Sequence, residues 1–132
     1  MSNTDFFTKQ ILIVDDANSI RMLARSMLLD AGFKYVAQAK NGKDASNLLS
    51  RKPIDLIICD WNMPIMDGLE LFKEINANPS LKHIGFIMLT SSSETAKVKE
   101  AINAGVNDYI LKPFNGTTLV KHVLDSLQKQ LI

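Results

Sequence analysis

Leu56-Ile57-Ile58-Cys59-Asp60 is four apolar residues running up to a single carboxylate, and Trp61-Asn62-Met63-Pro64 then turns the chain away. A short run that is apolar throughout is the pattern of a strand buried on both faces. The aspartate at its carboxyl end would then sit on the rim of a sheet. Three other apolar runs also end in a polar residue: Ile11-Leu12-Ile13-Val14 in Asp15-Asp16, Phe86-Ile87-Met88-Leu89 in Thr90, and Tyr109-Ile110-Leu111 in Lys112. In an open parallel sheet, ligands bind in the crevice at the carboxyl ends of the strands. The pattern therefore predicts that three acids, a hydroxyl and an ammonium meet in one place.

The segments between these runs read as helices. After a lead-in over residues 1–9, expected to be frayed, the first strand covers 10–14. Asn18 or Ser19 is expected to cap a helix with Ile20, Leu23, Ala24, Met27, Leu28 and Ala31 on one face, ended by Gly32. Residues 35–39 read as a weaker strand, interrupted by Gln38 as suits a sheet edge. Asn41-Gly42 marks a turn into a short helix carrying Ala45, Leu48 and Leu49, which Pro53 keeps out of the central strand. A third helix carries Leu69, Phe72 and Ile75, and Asn78-Pro79-Ser80 breaks it. The fourth strand is expected over 85–89. Residues 91–94 offer a capping box for a helix packing through Ala96, Val98, Ala101 and Ile102 and closed by Gly105. The last strand is expected over 108–111. Asn115 then caps a helix that buries Leu119, Val120, Val123, Leu124, Leu127 and Leu131. Five βα units imply a parallel sheet covered on both faces and joined by right-handed crossovers.

The 132 residues, 46% hydrophobic and 22% charged, have ordinary globular composition for one domain. A formal net charge of +1 gives no support to a nucleic-acid partner. The lone Cys59 reads as a small buried hydrophobe. No apolar stretch is long enough to span a membrane, and the first residues lack the pattern of a signal peptide, so a cytoplasmic protein is expected.

Asp15, Asp16 and Asp60 brought together need a counterion. Two carboxylates about 4 Å apart repel by roughly 4 kcal/mol at an effective dielectric of about 20. Such a cluster takes up protons or holds a cation. Oxygen ligands with part of a hydration shell suit magnesium, whereas His83 and His122 lie too far along the chain to suggest zinc. A carboxylate beside a divalent ion can also attack phosphorus to give an acyl phosphate. A lysine and a hydroxyl such as that of Thr90 would stabilise the transferred group. Asp60, on the middle strand, is the best nucleophile. Taken singly, each residue has a structural reading as a turn, a cap or a solvated loop; their convergence points to chemistry.

These residues carry a resemblance. Val14-Asp15-Asp16, Cys59-Asp60-Trp61-Asn62-Met63-Pro64 with Met66-Asp67-Gly68, Leu89-Thr90-Ser91 and Tyr109-Ile110-Leu111-Lys112-Pro113 resemble the receiver domains of two-component response regulators. The chain is most similar to single-domain chemotaxis regulators of the CheY type. The resemblance implies a flavodoxin-like (βα)5 doubly wound three-layer sandwich with the family's strand order 2-1-3-4-5, and a receiver domain over 10–132. It implies Asp60 as phosphoacceptor and Thr90 and Lys112 as contacts to the phosphoryl group. Asp16, Asp60 and the carbonyl of Asn62 would bind Mg2+, with Asp15 helping through water. Tyr109 is similar to the family's switch aromatic, and Lys112-Pro113 to a peptide bond that is cis in the family.

By the same resemblance, a histidine kinase or phosphotransfer protein is the phosphodonor, and a phosphatase is a possible further partner. A downstream protein would read the face formed by the fourth helix, fifth strand and fifth helix. A flagellar motor switch protein in chemotaxis is the suggested target; a phosphorelay intermediate or a regulator of another pathway would carry the same residues. A monomer is expected, with no nucleic-acid or membrane partner and no external turnover. Acyl-phosphate lifetime would depend partly on Asn62 and Ser92. An aspartate-nucleophile phosphohydrolase is disfavoured, because Asn62 stands where such enzymes place their second Asp. A flavodoxin-like electron carrier would need a Ser/Thr/Gly-rich phosphate loop after the first strand, which Asp15-Asp16-Ala17-Asn18 is not. A receiver-shaped scaffold that is never phosphorylated would not need the full set of acids, Thr and Lys. Met22, Met27, Met63, Met66 and Met88 read as packing and loop residues. His83 and His122 read as surface residues, Lys97, Lys99 and Lys121 as a solvated helix face, and Trp61 as partly exposed.

Overall fold

Strand parity sorts the chain into layers. The computed structural model describes residues 5–91, 95–106 and 108–130, with Thr95 by its backbone alone. Residues 92–94 of the expected capping box, Ser92 as a lifetime determinant and Leu131 therefore lie outside the described residues. The elements alternate as β1 (Gln10–Val14), α1 (Asn18–Ala31), β2 (Tyr35–Ala39), α2 (Gly42–Leu49), β3 (Leu56–Asp60), α3 (Gly68–Asn76), β4 (Gly85–Ser91), α4 (Thr95–Ala104), β5 (Tyr109–Lys112) and α5 (Gly116–Lys129). The five strands pair in parallel in the order β2-β1-β3-β4-β5, the flavodoxin-like doubly wound arrangement.

Successive side chains of a strand point to opposite faces. On one face, Leu12, Val14, Ile57, Cys59, Phe86 and Met88 pack with Ala45 and Leu49 of α2, Leu69, Phe72 and Ile75 of α3, and Ala101 of α4. On the other, Ile11, Ile13, Leu56, Ile58, Ile87 and Leu89 pack with Ala24 and Leu28 of α1 and Leu119, Val123 and Leu127 of α5. All five residues of β3 are buried, as its sequence requires. The register sets Val14 opposite Cys59, Asp60 opposite Leu89, and Ser91 opposite Lys112. The carboxyl ends of β1, β3, β4 and β5 thus come level.

Several local expectations are corrected. Residues 5–9 are not frayed: Phe6–Thr8 form a 3-10 turn capped by Asp5, and Phe7 packs edge-on against Phe33 with ring centroids 4.8 Å apart. The cap of α1 is Ala17, not Asn18 or Ser19: Asn18 is already the first helical residue, and its side-chain oxygen accepts from Arg21 Nη2 at 2.8 Å. Leu23 and Ile102, expected to pack, are largely exposed, and Ala96 is exposed too. β4 runs two residues past its expected end, so Thr90 and Ser91 lie within the strand and pair with Leu111 and Lys112. Gly32 does end α1, in the left-handed conformation with φ 113° that favours glycine. No helix among the described residues is long and apolar enough to cross a membrane.

Candidate functional site

β1 delivers Asp15 to the rim fully buried, and every polar group of that residue has a described partner. Its N–H donates to the Ala39 carbonyl at 3.1 Å, and its carbonyl accepts from Arg21 Nη1 at 2.8 Å. Its carboxylate accepts from the Ala17 N–H at 2.8 Å and from Lys112 Nζ at 3.3 Å. Asp16, the next residue, is exposed. At the end of β3, Asp60 is 8% exposed and accepts from Lys112 Nζ at 2.8 Å. Carboxylate oxygens of Asp15, Asp16 and Asp60 all lie within 4.8 Å of one another, a cluster that could hold a metal ion.

One ammonium therefore serves two buried carboxylates, with a third alongside. Burial pushes the Asp60 carboxyl above its usual value, Lys112 pulls it down, and Asp15 adds repulsion; the upward influences win. Burial works to lower Lys112, but its hydrogen bond and attraction to Asp60, with help from Asp15, hold it above the ordinary lysine value. Burial is thus the main reason Asp60 is raised, with the Asp15 carboxylate adding to it. An all-oxygen donor set with one exposed member fits magnesium, which takes one or two carboxylates and keeps waters. Cys59, although next in sequence to Asp60, points into the core, where burial drives its thiol well above the ordinary value. It is no metal ligand here.

The loop after Asp60 is held from several sides. The first turn of α3 comes directly onto the strand end: a Cβ on Gly68 would lie 2.5 Å from the Asp60 carbonyl oxygen and 2.8 Å from Met88 Sδ. Only glycine permits that approach. Asp67 and Glu70 close a capping box on α3, a signal legible in Asp67-Gly68-Leu69-Glu70. Between them and Pro64, Ile65 takes a left-handed backbone with φ 74° while its side chain stays exposed.

Thr90 is buried at the rim end of β4, and Tyr109 opens β5 on the neighbouring strand with its side chain 42% exposed. Both line a small cavity with Trp61, Val98, Ala101 and Val106. The Lys112-Pro113 bond is cis, as the resemblance implied.

Three side chains are placed otherwise than expected. Trp61 is only 3% exposed, because α4 covers it. Lys97 is not simply solvated: its Nζ donates to Asn62 Oδ1 at 2.9 Å and stands 5.9 Å from the Trp61 ring centroid. His122 is not a free surface residue, since its Nδ1 lies 2.9 Å from Asp108 Oδ1. Arg21 was missed altogether. Its guanidinium joins the Asp15 carbonyl, Asn18 Oδ1 and Gln38 Oε1, tying the acidic turn to α1 and to the edge strand. No local sequence signal marks a contact between residues 35 apart such as Lys97 and Asn62.

Residues 11–124 match the response regulator receiver domain family. The chemotaxis protein CheY-3 of Vibrio cholerae is 40% identical over 122 residues, covering 92% of this chain and 93% of that protein. The chemotaxis protein CheY of Pseudomonas aeruginosa is 37% identical over 114 residues, covering 86% of this chain and 92% of that one. Among solved structures, the chemotaxis response regulator CheY4 of Vibrio cholerae superposes with a TM-score of 0.83 at 34% identity, covering 90% of this chain and 98% of that chain. The fold is thus one that known relatives share, and this chain belongs to the response regulator receiver domain family.

Proposed function

We propose that this protein is a CheY-like response regulator whose Asp60 accepts a phosphoryl group from a histidine kinase or phosphotransfer protein in a Mg2+-dependent reaction. The observation that carries this reading is the convergence of Asp15, Asp16 and Asp60 within 4.8 Å, with Lys112 bonded to two of them. A carboxylate oxygen of Asp60 attacks phosphorus, and the bond from phosphorus to the donor nitrogen breaks. The leaving imidazole keeps the electron pair. Lys112, already 2.8 Å from Asp60, is positioned to follow negative charge onto the phosphoryl oxygens. Thr90, at the same rim, supplies a hydroxyl to one of those oxygens. Asp16, Asp60 and the carbonyl of Asn62 would hold the magnesium, with Asp15 acting through water. When bound there, the ion would supply charge neutralisation to the transferring group.

Phosphorylation adds close to two negative charges and new acceptor oxygens. Drawing Thr90 and Lys112 toward them favours an inward Tyr109, which is half out in the present conformation and shares a cavity with Thr90. The face of α4, β5 and α5 changes with it, and a downstream protein reads the change. The likeness to chemotaxis proteins supports a flagellar motor switch protein as that partner, with the protein acting in the cytoplasm and modifying only itself. Intact-mass analysis after incubation with acetyl phosphate tests the chemistry. A magnesium-dependent phosphate adduct, absent from Asp60→Asn, is the expected result; an adduct that persists in Asp60→Asn overturns the assignment.

A further inference from the structure

Outside the set of acids, Lys112 and Thr90, a second cation reaches the segment that follows Asp60. Lys97, from the first turn of α4, donates to Asn62 Oδ1 at 2.9 Å and lies over the Trp61 ring at 5.9 Å. Trp61 and Asn62 are the two residues immediately after Asp60, and Asn62 is exposed where Trp61 is buried. Lys97 therefore touches the outer edge of the site from an element that supplies no carboxylate to it. An ammonium on a four-carbon stem is free to adopt many positions. Here a charged hydrogen bond and an aromatic face both fix it.

Charge gives the location a meaning. Lys112 and a bound divalent ion would together balance the three carboxylates at the rim, so the loaded inner site would be close to neutral. An incoming phosphodonor is an anion and gains no net attraction from a neutral pocket. Lys97 adds a positive charge at the mouth, within the range over which charge still acts in dilute salt, about 10 Å at 0.1 M. It also fixes the side chain of Asn62, whose backbone is read above as part of the ion site. We propose that Lys97 is a positioning residue for phosphoryl transfer, holding Asn62 and drawing the anionic phosphodonor to the mouth of the site. The inference rests on the proposed phosphorylation of Asp60 and adds to it a residue from α4.

Lys97→Met, Lys97→Arg and the unaltered protein are compared in the rate of acetyl-phosphate adduct formation, with Mg2+, in low and high salt. Lys97→Met is expected to react about three- to ten-fold more slowly in low salt, the range for one charged contact at a partly exposed site. The deficit should shrink in high salt, and Lys97→Arg should restore most of the rate. A tie that merely braced α4 would show no such salt dependence. Equal rates for Lys97→Met and the unaltered protein, or an Arg variant as slow as the Met variant, overturn the proposal and leave the Asp60 reading intact. No adduct on the unaltered protein overturns both. Thermal melts of the variants show whether the fold is kept, and a deficit traced to unfolding counts against the proposal.

Discussion

At the amino ends of the strands, Asp55 ties β1 to β4 through hydrogen bonds. Its carboxylate accepts from the Gln10 N–H at 2.8 Å and its N–H donates to the Gln10 carbonyl at 2.9 Å. Its carbonyl takes hydrogen bonds from the Gly85 N–H at 3.0 Å and from Gln130 Nε2 at 2.8 Å. At the carboxyl ends of the same strands, three carboxylates face one lysine. Both rims use aspartate, yet the first is a set of satisfied hydrogen bonds and the second is a surplus of charge. The difference teaches where an aspartate works for the fold and where it works for a ligand. Asp55 is held by hydrogen bonds alone, whereas Asp15 and Asp60 share one ammonium and repel each other, which leaves room for a cation from outside.

The sharpest way to break this contrast is Asp60→Asn against Asp55→Ala. The first should abolish the magnesium-dependent adduct in intact-mass analysis, and the second should leave it unchanged. Next in size is Lys112→Met, which strands Asp15 and Asp60 without their shared cation. In magnesium-free buffer it should lose about 2 kcal/mol, less than a fully buried pair because Lys112 is partly exposed. Millimolar Mg2+ should restore much of that in thermal melts, since an ion that binds only the folded state stabilises it. Asp55→Ala should cost roughly 1–2 kcal/mol by leaving the Gln10 N–H unpaired. Denaturant titration should show that loss to be the same with and without magnesium.

The smallest effect concerns pH. The Asp60 carboxyl is raised in the folded protein, so folding without metal favours its protonated form. That contribution is full below the unfolded value of about 4 and is lost as pH rises through the folded one. Magnesium requires the ionised form and reverses the trend. Its affinity, followed by Trp61 fluorescence, should fall with acid at a pH above that of an ordinary carboxylate. A fall confined to the usual carboxylate range would show that burial and the neighbouring Asp15 do not raise the Asp60 carboxyl.

Much of this could be read along the chain because the signals are local. The five strands, their parity and the polar residues that end four of them lie within runs of four to seven residues, and a parallel sheet brings such ends level. Asp15, Asp16, Asp60 and Lys112 meet for that reason. Where helix faces were assigned by periodicity alone, Leu23 and Ile102 were misplaced, since one helical turn offers several apolar positions and only the packing angle chooses among them.

The sequence by itself determined the alternation of elements, the two-sided burial of β3 and the chemistry gathered at one rim, all consequences of short-range patterning and chain direction. Only the tertiary structure decided that α4 covers Trp61, that Lys97 reaches Asn62, that Arg21 holds the Asp15 turn and that His122 pairs with Asp108. Those contacts join residues from different elements. They depend on where each helix lies across the sheet, which the packing of two whole layers fixes and no local run of residues encodes.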